Sequence, residues 1–359
     1  MKKSTFIFQT LLLFLVSSGC SEKKKKTAEK AEVKNEITIS DNSEAKKVDV
    51  FVNGKLFTSY LYSSDIAVLK KTTLYPIIAA NGEVVTRGFP LATRANERTD
   101  HPHHIGAWFN YGDVNGLDYW GNSNAMPEEM KDKLGTIRHD KIVALTNGSE
   151  SASMSVTANW LKPDGTTLLK EETTFNFYAE EGKRFIDRIV TLKAVDEQVV
   201  FNDTKEGMFA IRVARQLEYP SDSPVSLSDA HGKLTDVPVL DNSGVNGHYL
   251  SSEGIEGTAV WGKRAKWVAL SGMLTNNQVT LVIMDEPNNV GYPTYWHARG
   301  YGLFAANALG QHTFSNGKER MNLSLKPSEE VRFKYRIAIL DGIATKEQID
   351  AEYQKFVGE

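Results

Sequence analysis

The sequence predicts an all-β fold: two large antiparallel sheets packed as a sandwich, with one helix at the C-terminus. Three observations predict it. Segments of alternating apolar and polar residues follow one another from Val48 to Leu340. Turn signals such as Asn53-Gly54, Asn81-Gly82 and Lys162-Pro163-Asp164-Gly165 separate them. Helical periodicity is confined to the stretch after Thr345.

The chain opens with a basic stretch, Met1-Lys2-Lys3, and an apolar run from Phe6 to Val16 that is too short to span a bilayer. Ser17-Ser18-Gly19-Cys20 reads as a lipobox, so residues 1–20 are expected to be a lipoprotein signal peptide with lipidation at Cys20. Cys20 is the chain's one cysteine, which leaves no internal disulfide to form. Residues 21–47 are polar, begin with a run of four lysines (23–26) and lack apolar periodicity, and they are expected to be a disordered linker. Residues 48–359 are expected to form a single domain. It carries 32 Lys and Arg against 39 Asp and Glu, a net charge of −7. Such a domain without a basic stripe argues against nucleic acid as a partner. The expected location is the periplasmic side of the outer membrane, with the lipid anchor as the only membrane contact.

Val48 to Val52 alternates, Asn53-Gly54 supplies a two-residue hairpin turn, and Lys55 to Tyr60 returns. Leu74 to Ala80 and Glu83 to Thr86 flank Asn81-Gly82 in the same way. From Asn96 to Lys133 the pattern gives way to Asn, Gly, Asp and aromatic residues, which predicts long loops over one face of the kind that carry function. Regularity resumes at Thr136. A meander of long strands is expected over 152–160, 166–178 and 184–193, then strands at 198–203, 207–216, 257–262, 265–274, 278–285, 302–307, 320–325 and 330–340. Thr345-Lys346-Glu347-Gln348 is a capping box, and Ile349, Tyr353 and Phe356 give the helix an apolar stripe to lay on a sheet.

The irregular region holds the densest chemistry. Asp100-His101-Pro102-His103-His104 places three of the chain's eight histidines in four residues. In an extended segment His101 and His103 face one side and His104 the other. Imidazoles so spaced can share a divalent metal ion with a third ligand from elsewhere, or work without metal as an acid and an electrophile. His101 and His103 are therefore candidate metal ligands. Asp113 and Asp118 follow among Trp108, Tyr119 and Trp120, and carboxylates beside aromatic faces suit a sugar ring. Asp113 is equally placed to hold its own turn, Asp113-Val114-Asn115-Gly116. In the run from Lys205 to Arg215, Glu206 at a strand start is a candidate base or ligand, and Arg212 a candidate clamp for a carboxylate. His297 and Arg299, two residues apart, can face one pocket. The expected catalytic set is His103, His297, Glu206 and Asp113. The expected substrate contacts are His104, Trp108, Asp118, Trp120, Arg212, Arg299 and Asn307. There is no Gly-rich phosphate loop, nucleophile elbow or cysteine placed as a nucleophile.

The run His101-Pro102-His103-His104, Trp108-Phe109, Gly112-Asp113-Val114-Asn115-Gly116 and Tyr119-Trp120 resembles the bacterial PmoA-like family of unknown function. Lys205-Glu206-Gly207, Arg212-Val213-Ala214, Trp261-Gly262-Lys263-Arg264-Ala265 and the stretch from Trp296 to Ala305 look like its later motifs, so the likeness covers nearly all of residues 50–341. Glu286, where that pattern has a His, and Ala308-Leu309, where it has Pro-Phe, depart from it. The resemblance implies a supersandwich similar to galactose mutarotase, and the company of sugar dehydrogenases and glycan-degradation genes. Residues and resemblance together lead us to expect a carbohydrate-active lipoprotein enzyme that cleaves a glycosidic bond by hydrolysis or β-elimination, or epimerises a sugar. His103 or His297 would move a proton with Glu206 or Asp113 opposite. Arg212, Arg299 or a divalent metal ion would hold the charge of an enolate. Two other readings stay open: a metal-dependent oxidoreductase, and a glycan-binding lipoprotein without catalysis.

Overall fold

Alternation in the sequence becomes strands in the computed structural model, which describes residue 1 and residues 3–5, 34–62 and 64–358. The lipobox, Cys20 and residues 21–33 of the linker lie outside the described residues. From Lys34 onward the chain forms one unit. Its first strands, β1 (Glu36–Asn42), β2 (Lys47–Val52) and β3 (Lys55–Leu61), make a meander. Asn53 and Gly54 between β2 and β3 both take positive φ, 51° and 74°, as a two-residue hairpin turn requires. β1 corrects the expected linker. Ile37 and Ile39 alternate with polar neighbours and enter the core, so the ordered domain begins near Lys34 and not at residue 48. Two isoleucines in a Lys- and Glu-rich stretch are too faint a pattern to read alone.

The chain continues through β4 (Thr73–Ile77), β5 (Ala107–Tyr111), β6 (Thr136–Thr146), β7 (Gly148–Ser149), β8 (Ser151–Leu161), β9 (Thr167–Glu180) and β10 (Lys183–Ala194). There follow β11 (Val199–Phe201), β12 (Gly207–Arg212), β13 (Val225–Ser226), β14 (Pro238–Val239), β15 (His248–Ser251), β16 (Trp267–Met273) and β17 (Gln278–Asp285). The last strands are β18 (Tyr295–Ala298), β19 (Leu303–Asn307), β20 (Leu323–Leu325) and β21 (Glu330–Asp341). The strand expected over 257–262 is instead a 3-10 turn at Gly257–Val260, where Gly257 takes φ 58° and breaks the extended run.

Nine strands form one sheet in the order β18-β19-β12-β5-β4-β3-β2-β1-β7, and eight form the other, β15-β16-β17-β21-β10-β9-β8-β6. Their inner faces meet in the core. Phe109 of β5 packs on Phe333 of β21 with ring centroids 5.7 Å apart, and Phe209 of β12 stacks on Tyr335 at 5.2 Å. This is the all-β sandwich the sequence predicts. After a one-turn helix α1 (Gln311–Phe314), the C-terminal helix α2 (Lys346–Gly358) closes the chain. The Thr345 N–H donates to Gln348 Oε1 at 2.8 Å and the Gln348 N–H to Thr345 Oγ1 at 3.3 Å, the two halves of the capping box. Ile349, Tyr353 and Phe356 cover Trp267, Val282 and Met284 on the outer face of the eight-stranded sheet.

Candidate active site

β5, β12, β19 and β18 lie side by side and are buried on both faces. Successive side chains alternate, so the residues next to the core phenylalanines point away from the core. The register aligns Trp108 with Ala210, Ala210 with Ala305, and Ala305 with His297. This outward row reads indole, methyl, methyl, imidazole. Three interstrand spacings put its two ends about 14 Å apart. The two alanines carry only methyl groups, so the row dips between its bulky ends, a trough in side-chain height with the alanines as its floor, and all four of its residues are buried. Trp120, Leu303 and Tyr301 pack around that floor.

The histidine turn lies against this face, with His104 packed on Trp108 and Trp120. The chain is not extended at that point. His101 takes φ 45°, and the His104 N–H donates to the His101 carbonyl at 3.0 Å, a tight turn. The expected split, with His104 facing away from His101, is therefore corrected. The His101 ring lies parallel to His104 at 4.8 Å and to Tyr301 at 5.1 Å, and His104 stacks on Trp108 at 5.2 Å. Two buried arginines hold the turn. Arg87 donates to the carbonyls of Arg98, Asp100, His101 and His104 and to Asp100 Oδ1. Arg212, from β12, reaches Asp100 Oδ1 at 2.6 Å and His104 Nδ1 at 3.1 Å. Gly106 follows at φ 58°, and a Cβ there would stand 2.1 Å from the Leu74 carbonyl oxygen, so the chain can pass under β4 only without a side chain.

These contacts fix the tautomers. A guanidinium only donates, so His104 Nδ1 accepts and its Nε2 bears the proton. His297 Nδ1 lies 2.9 Å from the Lys205 carbonyl, which only accepts, so His297 Nε2 is a bare acceptor. Neither Nε2, nor Trp108 Nε1, has a protein partner among the described residues. Burial, then the charge of Lys71, pushes His103 down to about 2; burial, then Lys205, pushes His297 down to about 3. His104 is likewise held well below the ordinary imidazole range by burial. Lys71 is itself buried. Its Nζ donates to the His103 carbonyl at 2.7 Å, sits 5.2 Å over the Trp108 ring, and is pushed down to about 7 by burial. Burial alone would raise Asp100, but His101 and the Arg212 and Arg87 guanidinium groups outweigh it and hold the carboxyl well below the usual range. Glu206 is half-buried, ion-paired with Lys205, and its Oε2 lies 3.8 Å from His297 Nδ1.

Residues 47–354 match the model of a family of unknown function, DUF6807. The chain belongs to that family. No curated protein matches this DUF6807 chain. Among solved structures it is similar to the α-galactosidase AgaB from Geobacillus stearothermophilus, at 8% identity and TM-score 0.40 over 85% of this chain and 41% of that one. It is similar also to galactose 1-epimerase from Lactobacillus acidophilus, at 11% identity and TM-score 0.33 over 87% of this chain and 100% of that one. A third is the α-galactosidase from Lactobacillus brevis, at 11% identity and TM-score 0.37 over 91% and 42%. The DUF6807 chain thus spans less than half the length of these α-galactosidases, and likeness at this level says nothing about activity.

The DUF6807 site gathers most of the residues expected from sequence. His101, His103, His104, Trp108 and Trp120 form one ring cluster, with Trp120 5.6 Å from His104. Arg299 lies 5.3 Å over the Trp261 ring and adds positive charge near His297. Asp118 senses both Lys71 and Glu206, but its Oδ1 is taken by the Trp120 and Gly121 N–H groups at 2.7 and 2.8 Å. Two expected residues are corrected. Asp113 Oδ1 accepts from the Gly116 N–H and Asn202 Nδ2, both at 2.9 Å, and holds a turn. Asn307 spends its amide on the Thr204 carbonyl and on the Leu309 and Gly310 N–H groups. The expected metal ligands do not make a set. The His101 and His103 rings, 5.7 Å apart, are near enough to share an ion, but among the described residues no three His, Cys, Asp or Glu side chains are grouped to hold one. Arg87, Arg212 and Lys71 also put positive charge where a cation would enter, so the residues present do not fit a metal ion. Arg87, Lys71 and Tyr301 were not expected from sequence, because they reach the site only through tertiary packing. Asp100 carried a signal, since it adjoins His101.

Proposed function

We propose that this chain binds a saccharide in the trough between Trp108 and His297 and moves a proton on it with Glu206. The observation that carries the reading is the set of buried polar atoms without protein partners: the Nε2–H of His104 and Nε1–H of Trp108 as donors, and Nε2 of His297 as acceptor. A hydroxyl both donates and accepts, so the hydroxyls of a short oligosaccharide lying along the row can meet the two donors at one end and the acceptor at the other. Tyr301 and Trp120 supply ring faces for its C–H groups. At neutral pH the imidazoles are uncharged, so they orient hydroxyls, and the half-exposed Glu206 carboxylate is left to take the proton. Arg299, whose charge acts on His297, would hold negative charge on a departing or enolic oxygen, while Arg212, bonded to Asp100 and His104, would keep the histidine turn in place. β-Elimination and epimerisation beside a carbonyl begin with that proton abstraction, whereas in hydrolysis the Glu206 carboxylate would take its proton from the attacking water and a separate acid would have to protonate the leaving oxygen.

The test is a glycan panel incubated with the full-length protein and followed by NMR for new reducing ends, unsaturated sugars or epimers. Glu206→Gln is expected to lose about 10²- to 10⁴-fold in turnover while still binding the sugar. Unchanged turnover in that variant would sink the assignment. A sugar bound but never altered would establish the second reading, a glycan-binding protein, which the neutral state of the imidazoles favours. A metal-dependent oxidoreductase, the remaining reading, needs a third ligand that the site does not group. The lipid anchor belongs to the same proposal. Cys20→Ser is expected to release the protein from the outer membrane into the periplasmic fraction, and retention of that variant in the membrane would count against it.

A further inference from the structure

Lys70, the neighbour of Lys71, lines a second cleft of about 570 Å³. Lys131, Arg138 and Lys162 join it there, with Ser123 and Asn124, and Asp132 is the one carboxylate in its lining. The four cations come from four separate places in the chain: the segment before β4, the 3-10 turn at Glu128–Lys133, β6, and the turn between β8 and β9. A smaller hollow of about 150 Å³ shares Lys70, Thr136 and Arg138 with this cleft and is lined also by Lys71, whose Nζ reaches the imidazole cluster. Lys70 and Lys71 are thus chain neighbours of which one lines the cleft and the other reaches the histidine turn. Lys131 is paired with Glu128, and Lys162 with Glu197 at 2.9 Å. Lys70 and Arg138 form no ion pair among the described residues, and beyond burial it is the like charges of Arg138 and Lys131 that depress the Lys70 amine.

We infer that this cleft binds the carboxylate or sulfate groups of an acidic oligosaccharide whose adjoining sugar occupies the trough. Crowded like charges repel, and an anion among them relieves the repulsion and gains charge-assisted hydrogen bonds from Lys70 and Arg138. Hydroxyl and amide groups of Ser123 and Asn124 suit a sugar backbone. No aromatic side chain is in the lining, although single-stranded nucleic acid would use one for base stacking. The inference rests on the saccharide reading of the trough for its choice of sugar as the carrier of the charge.

The experiment is titration calorimetry of the full-length protein with hexagalacturonate, a heparin hexasaccharide, maltohexaose and a single-stranded DNA hexamer, at low and at physiological salt. At least one of the two acidic sugars is expected to bind, several-fold more weakly at the higher salt. The double variant Lys70→Ala with Arg138→Ala is expected to weaken it about 10-fold or more, and Lys162→Ala less, because Glu197 already neutralises that lysine. Circular dichroism confirms that the variants are folded. No binding of either acidic sugar, or affinity unmoved in the double variant, overturns the inference, as does DNA bound as tightly and with the same sensitivity. If the acidic sugars fail while a neutral glycan is still turned over, only the cleft assignment falls. If the cleft binds acid groups and Glu206→Gln alters no turnover, only the reading of the trough falls.

Discussion

At the scale of single residues, the site is a set of buried groups whose charge states are set by burial and near neighbours. His103 and His297 are held neutral, at about 2 and about 3 against an ordinary 6.5. Between those values the unfolded chain binds more protons than the folded one, so stability rises with pH. It is complete above about 6.5 and falls as the medium is acidified toward 3. Asp100 adds a second loss lower down, since a carboxyl depressed by Arg212 and Arg87 contributes stability above its ordinary value and loses it below. Urea midpoints at pH 7 and pH 4.5 are expected to differ more for the wild type than for His297→Gln. An equal difference in both would refute the neutral-burial account. The clustering of the histidine run was legible, because three titratable rings fall in four residues of a Gly- and Asn-rich region. The stacking of His101 on His104 was not legible, since it depends on a positive φ at His101 that nothing beside it in the sequence demands.

At the scale of elements, the trough is a property of register. Trp108, Ala210 and the near neighbours His297 and Ala305 come from three distant stretches of the sequence and become a row only when β5, β12, β19 and β18 pair. Filling the floor should therefore block the site without touching any proposed chemical group. Ala305→Leu is expected to cost about 1–3 kcal/mol through overpacking and to abolish saccharide binding. Calorimetry with a bound glycan, beside circular dichroism, checks it; undiminished binding would show that the sugar does not lie on this face. The C-terminal helix makes the contrast. Its capping box and its stripe of Ile349, Tyr353 and Phe356 are local signals, and the structure repeats them contact for contact. Asp113 shows a local signal with two meanings. A carboxylate beside aromatic residues and a carboxylate in a turn look alike until Asn202 arrives from elsewhere in the chain.

At the scale of the whole molecule, the sheet begins earlier than the domain boundary drawn from composition. β1 pairs with β2 on one side and β7 on the other, and it buries Ile37 and Ile39. A chain starting at Lys34 is expected to unfold at the same urea concentration as the full-length protein. A chain starting at Lys47 is expected to lose about 3–6 kcal/mol, the transfer cost of two isoleucines at ~1.5–3 kcal/mol each. Equal stability of the two truncations would return residues 34–46 to the linker. The charge distribution is likewise a property of the whole. A net −7 domain shows no basic stripe in sequence, yet folding brings Lys70, Lys131, Arg138 and Lys162 to one cleft.

By itself the sequence determined the all-β class, most strand positions and the capped C-terminal helix, and it singled out the histidine run as the candidate site. Alternation, turn chemistry and capping act over a few residues, so they are written where they act. Only the tertiary structure decided which face of which sheet carries the site, that two alanines floor it, that Arg87 and Lys71 belong to it, and that Asp113 and Asn307 hold turns. Those outcomes follow from strand register and from burial, which join residues 92 and 108 positions apart and set their charge by what surrounds them.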